Sequence, residues 1–216
     1  MLSIGSLGSR RELSLLCIGA HSDDIEIGCA GTVMRLLQEH PGSHVTWVVV
    51  SGDGIRGQEA RRSAAALLSE GGSIDVRLWE FRDGHFPWQG SEIKDYLEGV
   101  AQGVRPDLVF THYLGDRHQD HRVVSELTWN TFRDHLILEY EVIKYDGDLG
   151  SPNLYVPLTE EISQRKVAHL LEHFPSQRER DWFCAESFEA IMRVRGIESR
   201  APAGTAEAFH SRKVVL

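Results

Sequence analysis

Residues 13–32 read LSLLCIGAHSDDIEIGCAGT, an apolar run that stops at His21, Asp23, Asp24 and Glu26 before small and apolar residues resume. The run has no apolar–polar alternation, the pattern of a strand buried on both faces of a sheet rather than wetted on one. Outward from it, the helical pattern GTVMRLLQEH follows. Then come HVTWVVVSG with GQEARRSAAALLSE, SIDVRLWEF with SEIKDYLEGVAQG, and PDLVFTHY with HQDHRVVSELTWNTF. Four strand–helix units in a row predict an α/β fold, a Rossmann-like three-layer sandwich with a mostly parallel sheet. After about residue 135 the pattern loosens into ILEYEVIKYDGDLGSPNLYVPL. A helix near TEEISQRKVAHLLEHF, the stretch RDWFCAESFEAIMRVRG and the tail GTAEAFHSRK complete the chain. With 216 residues, 41% of them hydrophobic, and neither repeat nor linker, residues 1–216 read as a single domain.

Lys and Arg number 23 against 32 Asp and Glu, a net charge of −9, which argues against nucleic acid or an anionic membrane surface as partner. A small or neutral ligand fits better, and a homo-oligomer is compatible with this reading. Cys17, Cys29 and Cys184 are odd in number and widely spaced, so neither a disulfide framework nor a cysteine zinc site is implied. The start MLSIGSLGSRREL lacks the apolar core of a signal peptide, and no stretch approaches the roughly 18 apolar residues of a membrane span. The expected location is the cytoplasm.

Mostly parallel sheets bind ligands outside the carboxyl ends of their strands. The turns there hold HSDD, SGDGIRG, FRDGHF and HYLGDRHQDH. His21 and Asp24 are three residues apart, as are His118 and His121 with Asp120 between them, so each segment can aim two donors at one point. Two imidazoles and one carboxylate, with a position left for water, are the donor set of a catalytic zinc. Asp23, left over beside Asp24, would face that water as general base. His118 paired with Asp120 would form an oriented imidazolium that stabilises an oxyanion or protonates a leaving amine. Asp and Ser after a strand also cap helices, but a cap needs one oxygen and explains neither histidine spacing.

These residues resemble the PIG-L/LmbE family of zinc-dependent N-deacetylases, whose motifs A-H-x-D-D-V-E-I-G-x-x-G-T and H-P-D-H stand here as AHSDDIEIGCAGT and RHQDH. The likeness extends to SGDGIRGQEARRSAAALL, with the family's R-x-x-E helix, to FRDG, to RKVAHLLEHFPSQ and to AEAF. It implies His21, Asp24 and His121 as metal ligands, Asp23 as general base, His118 and Asp120 as the supporting catalytic pair, and Arg56 as a substrate contact. It implies one Zn²⁺ per chain, with Fe²⁺ or another divalent ion also accepted by this donor set. The implied reaction is hydrolysis of the acetyl amide of an amino sugar, an N-acetylglucosamine unit in a glycoconjugate, sugar-lipid or small-thiol precursor. Ser22 and Gln119 replace the usual prolines, Thr205 stands where many members have tyrosine before Ala-Glu, and Asp116 stands where some carry tyrosine before the first histidine.

Residues 52–57, GDGIRG, match a dinucleotide fingerprint, with Asp75 about 20 residues on. Asp53 inside the loop that would cradle a pyrophosphate, and its place after the second strand, argue against that oxidoreductase reading. A non-catalytic, metal-stabilised binding module would have no use for Asp23. Two-metal phosphoesterase chemistry needs more ligands than these motifs offer. Trp182, Phe183, Phe188 and Met192 read as the wall of a sugar pocket or, favoured by their helical spacing, as core, and KYDGDLGSPN reads equally as a pocket rim or a surface loop.

Overall fold

The computed structural model describes residues 8–68 and 72–215. Its strands and helices alternate as expected: β1 (Ser14–Gly19), α1 (Asp24–Glu39), β2 (Ser43–Val49), α2 (Gly54–Leu68), β3 (Gly72–Leu78), α3 (Gly90–Gly103), β4 (Leu108–His112) and α4 (Gln119–Thr131). They are followed by β5 (Leu136–Tyr140), β6 (Leu154–Leu158), α5 (Glu160–His173), α6 (Ala185–Glu198) and β7 (Thr205–His210). The stretch that loosens after residue 135, and the tail, therefore supply further strands. β6 escapes the pattern because it is a half-buried edge strand carrying Pro157, a residue that sheets accept at an edge.

All the strands join one sheet in the order β3-β2-β1-β4-β5-β7-β6, parallel from β3 through β5, with β7 antiparallel to β5 and to β6. The chain moves outward from β1 to β3, then returns to lay β4 against the other side of β1. Strand order reverses between β1 and β4, and at such a reversal the loops diverge and open a ligand crevice. Leu15 and Cys17 of β1 face a core shared with α1, α2, α5 and α6, while Leu16 and Ile18 face a second core under α3 and α4. Two covered faces account for the unbroken apolar run in β1.

Helix α1 lies close on the sheet. A Cβ at Gly28 would stand 2.1 Å from Cδ2 of Tyr140. Tyr140 is itself fully buried and donates its hydroxyl to the Ile18 carbonyl at 2.7 Å. Farther along α1, Glu207 of β7 accepts from the backbone N–H groups of Gly31 and Thr32 at 2.9 and 2.6 Å. Lys166 of α5 donates to Glu207 and to the Ile27 carbonyl, both at 2.6 Å. This buried pair fixes α1 from behind, so its first residue, Asp24, has a defined place at the end of β1. Among the described residues no helix is long and apolar enough to cross a membrane.

The tight approach makes a paired prediction. Gly28→Ala drives a methyl into the Tyr140 ring and should destabilise by about 1–3 kcal/mol. Gly99→Ala, in exposed α3 with nothing within 4 Å of the new methyl, should stabilise by about 0.5–1 kcal/mol. Urea denaturation of the two variants checks the sign of each.

Candidate metal centre

The centre forms where the loops after β1 and β4 meet. The Ala20 N–H donates to His112 Nε2 at 2.9 Å and pins the end of β1 to that of β4. Asp23 occupies the N-cap position of α1 yet makes no side-chain cap hydrogen bond, and Asp24 Oδ2 accepts instead from the backbone N–H of His21 at 2.6 Å. Helix capping therefore does not account for the carboxylates of HSDD. Glu26 lies outside the centre: its buried carboxylate accepts from Ser63, whose Oγ also contacts His169 Nε2 at 2.8 Å, joining α1 to α2 and α5.

His21 Nδ1 lies 3.2 Å from His121 Nε2 and 3.3 Å from Asp24 Oδ2, and His121 Nε2 lies 3.4 Å from Asp24 Oδ1. All three residues are buried. Tetrahedral coordination with bonds of about 2.0–2.2 Å has edges of about 3.3–3.6 Å, so the spacing suits one small divalent ion. The far side of each ring fixes its tautomer. His121 Nδ1 is 2.8 Å from Asp116 Oδ2, and His21 Nε2 is 3.0 Å from Asp83 Oδ1 and 3.3 Å from Asp120 Oδ2. These carboxylates take the ring N–H groups and leave bare lone pairs on Nδ1 of His21 and Nε2 of His121. Two lone pairs and a carboxylate cannot share so small a space without a cation or a proton among them.

The electrostatics agree. Burial pushes His21 down, but the Asp24 charge and the carboxylates of Asp120 and Asp83 outweigh it and hold its pKa well above the ordinary value. Burial likewise opposes the rise of His121, which Asp24 and Asp116 impose. Asp24 is held well below the carboxylate range despite burial, through His121, His112 and His21. Asp23 goes the other way, raised by burial and by the neighbouring Asp24 charge, with Arg56 opposing. Arg56 contacts Asp23 Oδ1 at 3.3 Å and Asp83 Oδ2 at 3.1 Å.

The structure brings the sequence candidates His21, Asp23, Asp24, Arg56, His118 and His121 to the lining of one cavity of about 320 Å³. It corrects the pairing of His118 with Asp120. The Asp120 carboxylate accepts from the N–H groups of Gly84 and Phe86 and faces His21. His118, at the N-cap of α4, receives only the Asp120 backbone N–H on Nδ1, at 3.3 Å. Burial and the neighbouring His121 and His21 push the pKa of His118 down.

Sequence reasoning assigned no site role to His112, Asp83, Gln177 or Arg180, and singled out no residue within the rim stretch KYDGDLGSPN. His112, buried behind the centre, stacks on His121 at 3.9 Å, and burial pushes it down to about 4. Asp24, His112 and His121 also have ligand-like spacing, but the His112 Nε2 lone pair already accepts the Ala20 N–H. Glu59 of R-x-x-E accepts from the backbone N–H and hydroxyl of Ser176, which holds the turn bringing Gln177 and Arg180 to the cavity. Trp182 lines the cavity while Phe183, Phe188 and Met192 are core, and Lys144, Tyr145 and Asp146 make KYDGDLGSPN a rim. In GDGIRG the glycines serve a tight turn: Gly54 has φ +53°, and a Cβ on Gly57 would meet the Gly52 carbonyl at 2.0 Å.

Imidazoles and carboxylates gathered at the switch point of a parallel sheet, beside an open cavity, define an α/β protein with a metal-capable centre. The chain belongs to the PIG-L family, whose sequence model, described as GlcNAc-PI de-N-acetylase, matches residues 16–132. It is 30% identical over 177 residues to the uncharacterized deacetylase YaiS of Escherichia coli K12, covering 76% of this chain and 92% of that one. Its fold is similar to N,N'-diacetylchitobiose deacetylase of Pyrococcus horikoshii, at TM-score 0.69 and 20% identity over 92% of this chain and 83% of that one. It is also similar to the 4-carboxy-2-hydroxymuconate hydratase GalB of Pseudomonas putida KT2440, at TM-score 0.74 and 17% identity over 94% and 98%.

The convergence of donors predicts a thermodynamic linkage. Zn²⁺ at 100 times its dissociation constant should raise the unfolding free energy by about 2.7 kcal/mol with about one ion bound per chain. Thermal unfolding and elemental analysis should show both effects in the native chain and neither in His121→Ala. An equal rise in that variant contradicts the ligand assignment.

Proposed function

We propose that the chain is a metal-dependent hydrolase that removes the acetyl group from an N-acetylated amino sugar of the N-acetylglucosamine type. The observation that carries this reading is the trio of convergent acceptors, His21, Asp24 and His121, with the carboxylate of Asp23, held by Arg56, beside it in the cavity lining. Family membership and the sugar deacetylase of similar fold support the substrate class. A cavity of about 320 Å³ sits at the lower end of ligand pockets, suited to a single sugar ring.

A divalent ion held by the trio, zinc or iron among others, would supply Lewis acidity to the amide carbonyl and to water. Asp23, its pKa raised by burial and by the neighbouring Asp24 charge, takes the proton of the attacking water as general base. Arg56 keeps that carboxylate oriented through its contacts with Asp23 and Asp83. Because His118 Nδ1 accepts the Asp120 N–H, its proton resides on Nε2, and that N–H donates to the oxygen that gains charge as the carbonyl is attacked. Asp23 then returns the proton it took to the departing amine. The products are acetate and the free amino sugar.

The test is a panel of N-acetylglucosamine, N,N'-diacetylchitobiose and lipid-linked N-acetylglucosamine incubated with zinc-loaded protein, reading acetate release. Asp23→Asn should keep the ion and lose about 10²- to 10⁴-fold in rate. Wild-type turnover in that variant contradicts the proton route, and no acetate from any substrate contradicts the reaction.

A further inference from the structure

Lys144 lies in the segment 141–150 that follows β5, and its side chain is only 9% exposed. Its ammonium reaches Asp116 Oδ2 at 3.0 Å and Asp148 Oδ2 at 2.6 Å, with Asp146 Oδ2 at 3.9 Å. Asp116, Asp146 and Asp148 have the mutual spacing of a cation site, and the cation in their midst is the Lys144 ammonium. Asp116 in turn holds both histidines of RHQDH. Its Oδ2 accepts from His121 Nδ1 at 2.8 Å and its Oδ1 from the His118 backbone N–H at 2.7 Å. Asp148 also accepts the Arg117 N–H at 2.6 Å, from the same turn. The far end of the segment is closed separately. Arg195 grips Glu141 at 2.6 and 2.9 Å and donates to the Gly150 carbonyl at 3.1 Å. Tyr145 and Asp146, carried between these anchors, stand in the cavity wall.

We propose that Lys144 is a positioning residue: through Asp116 it fixes the ring of the ligand His121, and through Asp148 it fastens the rim segment 141–150 to the same turn. The inference rests on the reading of His21, Asp24 and His121 as the metal centre. Its physical basis is that a buried carboxylate holds two hydrogen-bond partners in place only while it is charged and anchored. Without the ammonium, Asp116 and Asp148 face each other across the gap, and mutual repulsion turns Asp116 away from His121 Nδ1. A ligand ring free to rotate binds metal more weakly although none of its own atoms has changed.

The experiment measures the zinc dissociation constant by competition with a chromophoric chelator, alongside kcat, KM and the thermal midpoint of the metal-free protein. Lys144→Met should weaken zinc binding by about 10- to 100-fold, and Lys144→Arg should recover most of the loss. In the double variant Lys144→Met/Asp116→Asn zinc should bind no more weakly than in Asp116→Asn alone, because the lysine acts through that carboxylate. Lys144→Gln carries the same expectation of weakened binding if Lys144→Met does not fold. Wild-type zinc affinity in the folded variant, even with a lowered thermal midpoint, overturns the proposal, as does full additivity with Asp116→Asn. Zinc that fails to bind the native chain overturns the metal centre itself, a failure distinct from unchanged affinity in the lysine variant.

Discussion

Three electron-rich groups held within 3.4 Å of one another are the constraint on which this molecule turns. The inner nitrogens of His21 and His121 and the Asp24 carboxylate stay together only with a cation or a proton among them. The fold keeps them together through contacts that also pack the helix on the sheet. The Ala20–His112 hydrogen bond ties the strands that carry the two loops, and the absence of a side chain at Gly28 lets α1 sit down on Tyr140. The Lys166–Glu207 pair holds the same helix about one turn farther along. Asp83, Asp116 and Asp120 fix the outer nitrogens of both rings, so the direction of each inner lone pair is determined before any ligand arrives.

The sheet alone does not select this chemistry. Similar folds belong to proteins described as a sugar deacetylase and as a hydratase, so the reaction must be argued from the side chains at the switch point. There, Asp23 lines the cavity beside the trio. Arg56, at the start of α2, partners both Asp23 and Asp83 and so links the turns after β1, β2 and β3. The excess of acidic residues in the composition is concentrated in part here, where four buried aspartates, Asp23, Asp24, Asp116 and Asp120, and the exposed Asp83 surround the histidines.

Much of this was legible in the sequence, and the parts that were not share a cause. Local signals carried the alternating strand–helix units and the spacing of HSDD and HQDH, because strand burial and helical periodicity are written in neighbouring residues. What a side chain meets across the fold is not. Asp120 is one residue from His121 in sequence but faces His21, since the backbone N–H groups of Gly84 and Phe86 draw its carboxylate toward the turn after β3. His112 reads as the last residue of a strand, and only the pairing of β4 with β1 reveals its bond to Ala20. KYDGDLGSPN has no periodicity, and its role depends on Lys144 reaching a carboxylate 28 positions earlier. The GDGIRG glycines mislead for the opposite reason, because a tight turn and a phosphate cradle ask for the same residue.

X-ray absorption at the zinc edge of the loaded native chain examines the proposed centre most directly, since it reports the donor atoms themselves. Coordination by His21, Asp24 and His121 predicts a shell of nitrogen and oxygen at about 2.0–2.2 Å with the outer scattering of two imidazoles. A sulfur shell near 2.3 Å, drawn from Cys17, Cys29 or Cys184, or an ion bound by oxygen alone, would contradict it.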